Sequence, residues 1–193
     1  MIWKIRHLIS GLRYRSSLTG LWSGFRFYWM SGDRSNLMFG LVLGGLFLSL
    51  GWLITQTILN QQQSEELRCL TKNIYHEARG EPDEGKYAVA SVTLNRVASK
   101  HYPGTICKVV YQKRWDYLRK RYVGAFSWTE LDELVSTDSE SWKKAARIAK
   151  EVYHNPEAQN LKQALFYHAR HIRPSWARKK TSVAKIGRHI FYN

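Results

Sequence analysis

The run His76-Glu77-Ala78-Arg79-Gly80-Glu81-Pro82 gathers two carboxylates, a guanidinium and an imidazole beside a turn. A carboxyl at the end of an apolar helix is partly desolvated, which raises its pKa and lets it deliver a proton near neutral pH. Glu77 is the candidate for such general acid work. On spacing alone, a solvated helix terminus remains the competing reading. Arg79 and Glu81 are close enough to pair and stiffen the turn, and Gly80 permits a sharp bend. The seven His residues include no His-Glu-x-x-His or other tight ligand spacing, so neither a metal nor a cofactor is expected. Two cysteines, Cys69 and Cys107, are too few for a disulfide scaffold and lack the paired spacing of a zinc site.

These residues need elements to hold them. From Glu65 to about His76, Leu67, Leu70, Ile74 and Tyr75 fall at helical spacing, with Ser64 placed to cap and Glu65 and Glu66 in the first turn. Pro82 biases Glu81 away from helix, so this helix stops by Gly80. A second helix is predicted from Asp83 to about Ser99 on the apolar face of Tyr87, Ala88, Val92 and Val97. After the turn Tyr102-Pro103-Gly104, Thr105 caps a short helix to Tyr111. Residues 112–136 show no regular pattern. Helical spacing returns from Asp138 to about His154, ended by Pro156, and the runs 164–168 and 187–192 read as short strands that can pair. Cys69 and Cys107 would tie the first helix to the short third one if bonded; two buried thiols are the alternative.

The membrane question turns on residues 37–59, an apolar run inside an uncharged stretch from Ser35 to Ser64. About 20 such residues cross a bilayer as a helix. The run begins too late and ends too polar for a cleaved signal peptide. Lys4, Arg6, Arg13, Arg15, Arg26 and Arg34 stand before it against Asp33 alone, whereas Glu65 and Glu66 follow it. By the positive-inside rule the N-terminus stays cytoplasmic and the remainder faces the periplasm or cell wall. Trp22, Phe25, Phe27, Tyr28 and Trp29 read either as a headgroup-zone segment or as part of a basic tail. Gly40 and Gly44 form a small-xxx-small pair suited to weak homodimerisation.

The chain carries +15 over 193 residues. The flank before the apolar run accounts for +5, and the 24 basic and 14 acidic residues beyond it leave +10. Such a balance suits an anionic envelope, and nucleic acid is a poor partner on that side of the membrane. The composition, 44% hydrophobic with 13% aromatic, excludes a disordered chain.

The segments 73–82, 84–85 and 88–97, then 102–112, Phe126-Ser127-Trp128, 164–168 and 185–192, resemble the spore cortex-lytic enzyme family of bacterial and phage cell-wall hydrolases. The resemblance covers about Leu67 to Asn193, in order. It implies an α+β, mainly helical catalytic domain related to lysozyme-like lytic transglycosylases, with a short C-terminal β element and peptidoglycan as substrate. Glu77 matches the family's catalytic acid. Glu81 and Arg79 then serve either catalysis or the turn's structure, and Ser127, Trp128, Tyr167 and His168 align with positions lining the glycan cleft; core packing is the alternative for Trp128 and Tyr167. Asn95 and Arg96 are expected to make buried structural hydrogen bonds. Residues 112–124 are longer and more basic than the family's link, suiting an anionic wall, lipid headgroups or plain solvent.

The organisation expected is therefore a basic cytoplasmic and juxtamembrane segment 1–36, a transmembrane helix 37–59, a linker 60–66 and a cell-wall hydrolase domain 67–193. The expected partners are peptidoglycan and membrane lipid. The competing classes are a non-catalytic peptidoglycan-binding or scaffolding protein of the same fold and a cytoplasmic DNA-binding protein.

Overall fold

The computed structural model describes residues 23, 24, 26, 27, 30, 34–117, 119–130, 139–156, 161 and 163–193. Trp22, Phe25, Tyr28 and Trp29 lie outside them, as does most of segment 1–36. Two compact units are present, Met1–Thr57 and Ile58–Asn193.

Helix α1 spans Arg34–Ala78. Within it, an 18-residue window has a mean hydropathy of 2.2 and no buried residue, and the helix is long and apolar enough to cross a membrane. The hydroxyls of Ser49, Thr55 and Thr57 donate to the carbonyls of Leu46, Gly51 and Leu53. Such internal bonding satisfies polar groups where water is scarce. Residues 60–66, expected as a linker with Ser64 as a cap, are instead helical. Asn60 to Ser64 contain no Gly or Pro, and extending a formed helix avoids a second nucleation.

In the second unit, the end of α1 buries Leu70, Asn73, Ile74, Tyr75 and Ala78. Helix α2, Asp83–Ala98, starts directly after Pro82 with Asp83 and Glu84 complementing its N-terminal dipole. Its Ala88, Val89, Ala90 and Val92 are completely buried. The short α3, Ile106–Val110, is capped by the Thr105 side chain, which accepts from the Lys108 amide. Glu66 accepts from the amides of Ile106 and Cys107, anchoring α3 to α1. Helix α4, Glu140–His154, is capped by Ser139 and buries Ala145, Ile148, Ala149 and Val152 in the same core.

A disulfide joins Cys69 to Cys107, residues 38 positions apart in sequence, with the Cα atoms 5.2 Å apart. In the chain-entropy account a loop of this size is worth roughly 4 kcal/mol. Reduction, or the double substitution Cys69→Ser/Cys107→Ser, is expected to lower Tm by on the order of 10 °C. Thermal melts with and without reductant check this, and superimposable curves would contradict it.

Two small antiparallel sheets complete the unit. Strands β1, Lys113–Asp116, and β2, Arg121–Gly124, form a hairpin pairing Trp115 with Tyr122. This hairpin, with the 3-10 turn Ser127–Glu130, occupies the stretch that sequence pattern leaves irregular. The second sheet has the order β3-β5-β4, from Phe166–Ala169, His189–Tyr192 and Ser182–Ile186. The two runs expected to pair do so as β3 and β5, and β4 is an added edge strand. One face of the sheet carries Tyr167 and the fully buried Phe191, the latter packed with Ala88 and Val92 of α2. Across the other face, Trp176 from the 3-10 turn Ser175–Lys179 meets Phe166, His168 and Tyr192. The result is mainly helical with a few strands.

Candidate active site

Glu77 lies in the last turn of α1, and its carboxylate points into a cavity of about 370 Å³. Arg96 of α2, Arg119 of the hairpin, Ser127 and Glu130 of the following 3-10 turn, and Tyr167 of β3 share that lining. The Tyr167 hydroxyl donates to Glu77 Oε2 at 3.0 Å. Burial raises the Glu77 carboxyl above its ordinary value, and the Tyr167 hydrogen bond and the Arg96 charge oppose that rise without cancelling it. Burial also pushes the Tyr167 hydroxyl well above the usual phenol value, so it stays protonated as a donor. The arrangement is a carboxyl that gives up its proton less readily than an ordinary glutamic acid, facing an open space, with a neutral donor and a cation beside it.

The supports of this site come from distant parts of the chain. Asn73, one turn before Glu77, is buried and donates to Thr93 of α2 at 3.0 Å. Its other amide atom accepts from the Trp128 indole at 3.3 Å, and Trp128 stacks on His76 with centroids 4.4 Å apart. Trp128 is therefore a buried packing residue holding α1 against the 3-10 turn, and its neighbour Ser127 faces the cavity. Asn95 donates to the Ala164 carbonyl and Arg96 to that of Leu165, which ties α2 to the entry of β3. Arg96 thus combines the expected structural bond with a place on the cavity wall.

A family profile described as Cell Wall Hydrolase matches residues 80–192. The chain belongs to the cell wall hydrolase family. The spore cortex-lytic enzyme of Bacillus cereus is 31% identical over 141 residues, covering 68% of this chain and 46% of that protein. The corresponding enzyme of Bacillus subtilis is 28% identical over 129 residues, covering 66% of this chain and 37% of its own length. The chain thus spans less than half the length of these curated relatives. Among solved structures, the catalytic domain of the Bacillus cereus SleB protein superposes with a TM-score of 0.52 at 29% identity, over 67% of this chain and 91% of that domain. The catalytic domain of the germination-specific lytic transglycosylase SleB from Bacillus anthracis gives 0.52 at 29%, over 66% and 93%.

In this member of the family the remaining candidates separate. Glu81 is turned away from the cavity: its Oε1 accepts from Arg188 Nε at 2.6 Å and its Oε2 from the Arg188 amide at 2.8 Å. Burial alone would raise the Glu81 carboxyl, but those bonds and the nearby His189 and Arg188 charges hold it below the ordinary value. Its partner is thus Arg188, where sequence proximity suggests Arg79; Arg79 sits over the Tyr75 ring, 5.5 Å from the centroid. His168 does not join Glu77. Adjacent strand residues face opposite ways, and His168 bonds Tyr192 and the Ala169 carbonyl on the other side of the sheet.

Arg119 and Glu130 at the cavity, and Arg188 behind it, were not distinguishable by local pattern. Glu130 accepts from the Gly124 amide at 2.7 Å and from Arg121 at 3.0 Å, which locks the hairpin to the turn carrying Ser127. Those bonds, that from Gly124 foremost, hold its carboxyl below the ordinary value.

Proposed function

We propose that this protein is a membrane-anchored enzyme that cleaves the peptidoglycan glycan strand between N-acetylmuramic acid and N-acetylglucosamine as a lytic transglycosylase. The observation that carries this reading is Glu77: a half-buried carboxyl with a raised pKa, bonded to Tyr167 and open to a cavity. Glu77 donates its proton to the glycosidic oxygen as the C1–O bond breaks and positive charge develops on the muramic ring. The resulting carboxylate then takes the proton of the muramic 6-hydroxyl as that oxygen bonds to C1, closing a 1,6-anhydro ring. One carboxyl acts twice, and no water is consumed. Tyr167 steadies the carboxylate form between the two steps. Ser127 and Arg96 are placed to meet sugar hydroxyls and acyl oxygens, while Trp128 acts through packing.

Hydrolysis is the second reading, favoured by one fact: Glu130 lines the same cavity. Its two oxygens are engaged by Gly124 and Arg121, which favours a structural role. Digestion of purified sacculi with product mass spectrometry decides between the two. Predominantly 1,6-anhydro ends are expected; reducing ends alone would establish hydrolysis, and no soluble products would favour a binding or scaffolding protein.

The reading of the chain as anchored rests on α1 and its flanking charge. The N-terminal basic segment stays in the cytoplasm, and the hydrolase unit lies on the periplasmic or wall side of the inner membrane, in a bacterium or a phage-infected cell. Protease digestion of spheroplasts should degrade the hydrolase unit, and its full protection would reverse the orientation.

Tyr167→Phe removes a hydrogen bond that lowers the Glu77 pKa. The alkaline limb of the pH–activity profile, where the acid form of Glu77 is lost, should therefore move to higher pH. An unmoved or lowered limb would show that this bond does not tune the acid.

A further inference from the structure

A cavity of about 720 Å³ lies on the face of the C-terminal sheet opposite Tyr167 and Glu77. Arg170, Arg173, Arg178 and Lys185 line it, with His168 and Tyr192 among its other walls. Among the described residues, no carboxylate is part of that lining. None of these four cations forms a salt bridge among the described residues, although Lys144, Arg147, Arg121 and Arg188 elsewhere all do. Four uncompensated positive charges around one hollow repel one another, and counter-charge relieves that cost.

The wall behind them is fixed. His168 stacks on Tyr192 at 5.3 Å and shares a hydrogen bond of 2.9 Å with its hydroxyl. Trp176 meets both rings edge-on from the 3-10 turn that carries Arg178. The cations therefore project from short, packed elements: Arg170 and Arg173 follow β3, and Lys185 lies on β4.

The geometry points to a binding site for a phosphoryl-bearing anion, separate from the glycan-cleaving cavity. Three guanidinium groups and an ammonium offer many more donors than one carboxylate's two oxygens can accept. A phosphoryl group supplies more charge and more acceptor oxygens, in a shape that guanidinium forks fit. The ligand can be a soluble phosphorylated compound or a lipid headgroup; both present the same chemistry to these side chains.

Isothermal titration of the full chain in neutral detergent with pyrophosphate tests the site, against acetate at equal ionic strength. Saturable pyrophosphate binding is expected, weakened at least tenfold in Arg170→Gln/Arg173→Gln/Arg178→Gln and unchanged in Lys100→Gln/Lys108→Gln/Lys143→Gln, which removes equal charge elsewhere. The altered side chains are exposed, and matching thermal melts verify that each variant is folded. Titration with dihexanoyl phosphatidylglycerol in the same detergent, compared between the two triple variants, then identifies the source, because α1 would carry the full chain into any vesicle. Binding lost only in the cavity variant marks a lipid headgroup, and selective pyrophosphate binding with no binding of this lipid by the wild-type chain marks a soluble ligand. Non-saturable binding, binding no tighter than acetate, or equal weakening by both triple variants would overturn the proposal. The readout is binding, so it stands or falls independently of glycan cleavage.

Discussion

Glu77→Gln should abolish most release of soluble muropeptides from sacculi, by on the order of 10²–10⁴-fold, the usual contribution of a positioned proton donor. The upper end is expected because the same carboxyl serves both proton transfers. Gln keeps the size of Glu and an oxygen to accept from Tyr167, so the fold is retained. The stability readout carries a sign of its own. A group whose folded pKa is raised contributes stability that is present below its unfolded pKa and lost as pH rises through the folded value. Wild-type protein should therefore lose stability over that window relative to Glu77→Gln, which has no proton to lose. A purely structural Glu77 predicts the opposite pair of results: wild-type-like release, and a variant that is less stable. Unchanged muropeptide release would refute the assignment whatever the melts show.

The elements that position Glu77 were largely legible because their signals are local. Pro82, the acidic first turn of α2, Thr105 and Pro156 mark helix boundaries by backbone chemistry that does not depend on the rest of the fold. The continuity of α1 was not legible, because a short run of Gln, Asn and Ser is compatible with either helix or linker and only the helix on both sides decides. The hairpin was hidden for a different reason. Lys113, Arg114, Arg121 and Tyr122 are exposed, so no alternation of apolar and polar residues marks the strands. Strand β4 loses its alternation to a register shift between Ser182 and Ala184.

The site divides along the same line. Glu77 stood out by type and by its place at a helix end. Its partners Tyr167 and Arg96 come from elements whose meeting is a tertiary fact, and the hydrogen bond to Tyr167 spans 90 positions. Neighbouring residues of one strand also went different ways: Tyr167 faces Glu77 and His168 faces the basic cavity. A motif aligned as a block does not show which of its residues shares a face with the acid. The same long-range logic explains Glu81. Its proximity to Arg79 in sequence is a weaker constraint than the β4–β5 turn, which delivers an amide and a guanidinium to it together.

That turn yields an expected stability effect as large as that of the disulfide. Gly187 has φ +54°, and a Cβ there would lie 2.0 Å from Glu81 Oε2 and 3.2 Å from Pro82 Cδ. Gly187→Ala therefore meets two costs. Holding an L-residue in the left-handed region costs about 1–2 kcal/mol, and displacing a buried carboxylate from its donors costs about 1–3 kcal/mol. A loss of about 2–5 kcal/mol follows, or roughly 10 °C in Tm. The ionic part of the Glu81–Arg188 contact counts for little, because the Arg188 side chain is 72% exposed. The hydrogen bonds to Glu81 supply most of the loss, and they supply it only while the carboxylate is ionised. A depressed folded pKa contributes stability that is present above the unfolded value and lost as pH falls through the folded one. The penalty of Gly187→Ala should accordingly shrink in acid. Adding Glu81→Ala makes room for the new methyl but leaves the strained φ in place. The double variant should then be more stable than the sum of the two single losses predicts, by about 1 kcal/mol or more. Additivity of the two losses would mean that Gly187 and Glu81 do not act through one contact. At temperatures where all the variants remain folded, muropeptide release should persist, because neither residue lines the cavity that holds Glu77. Loss of release from folded Glu81→Ala would move Glu81 from the architecture of the turn into the chemistry.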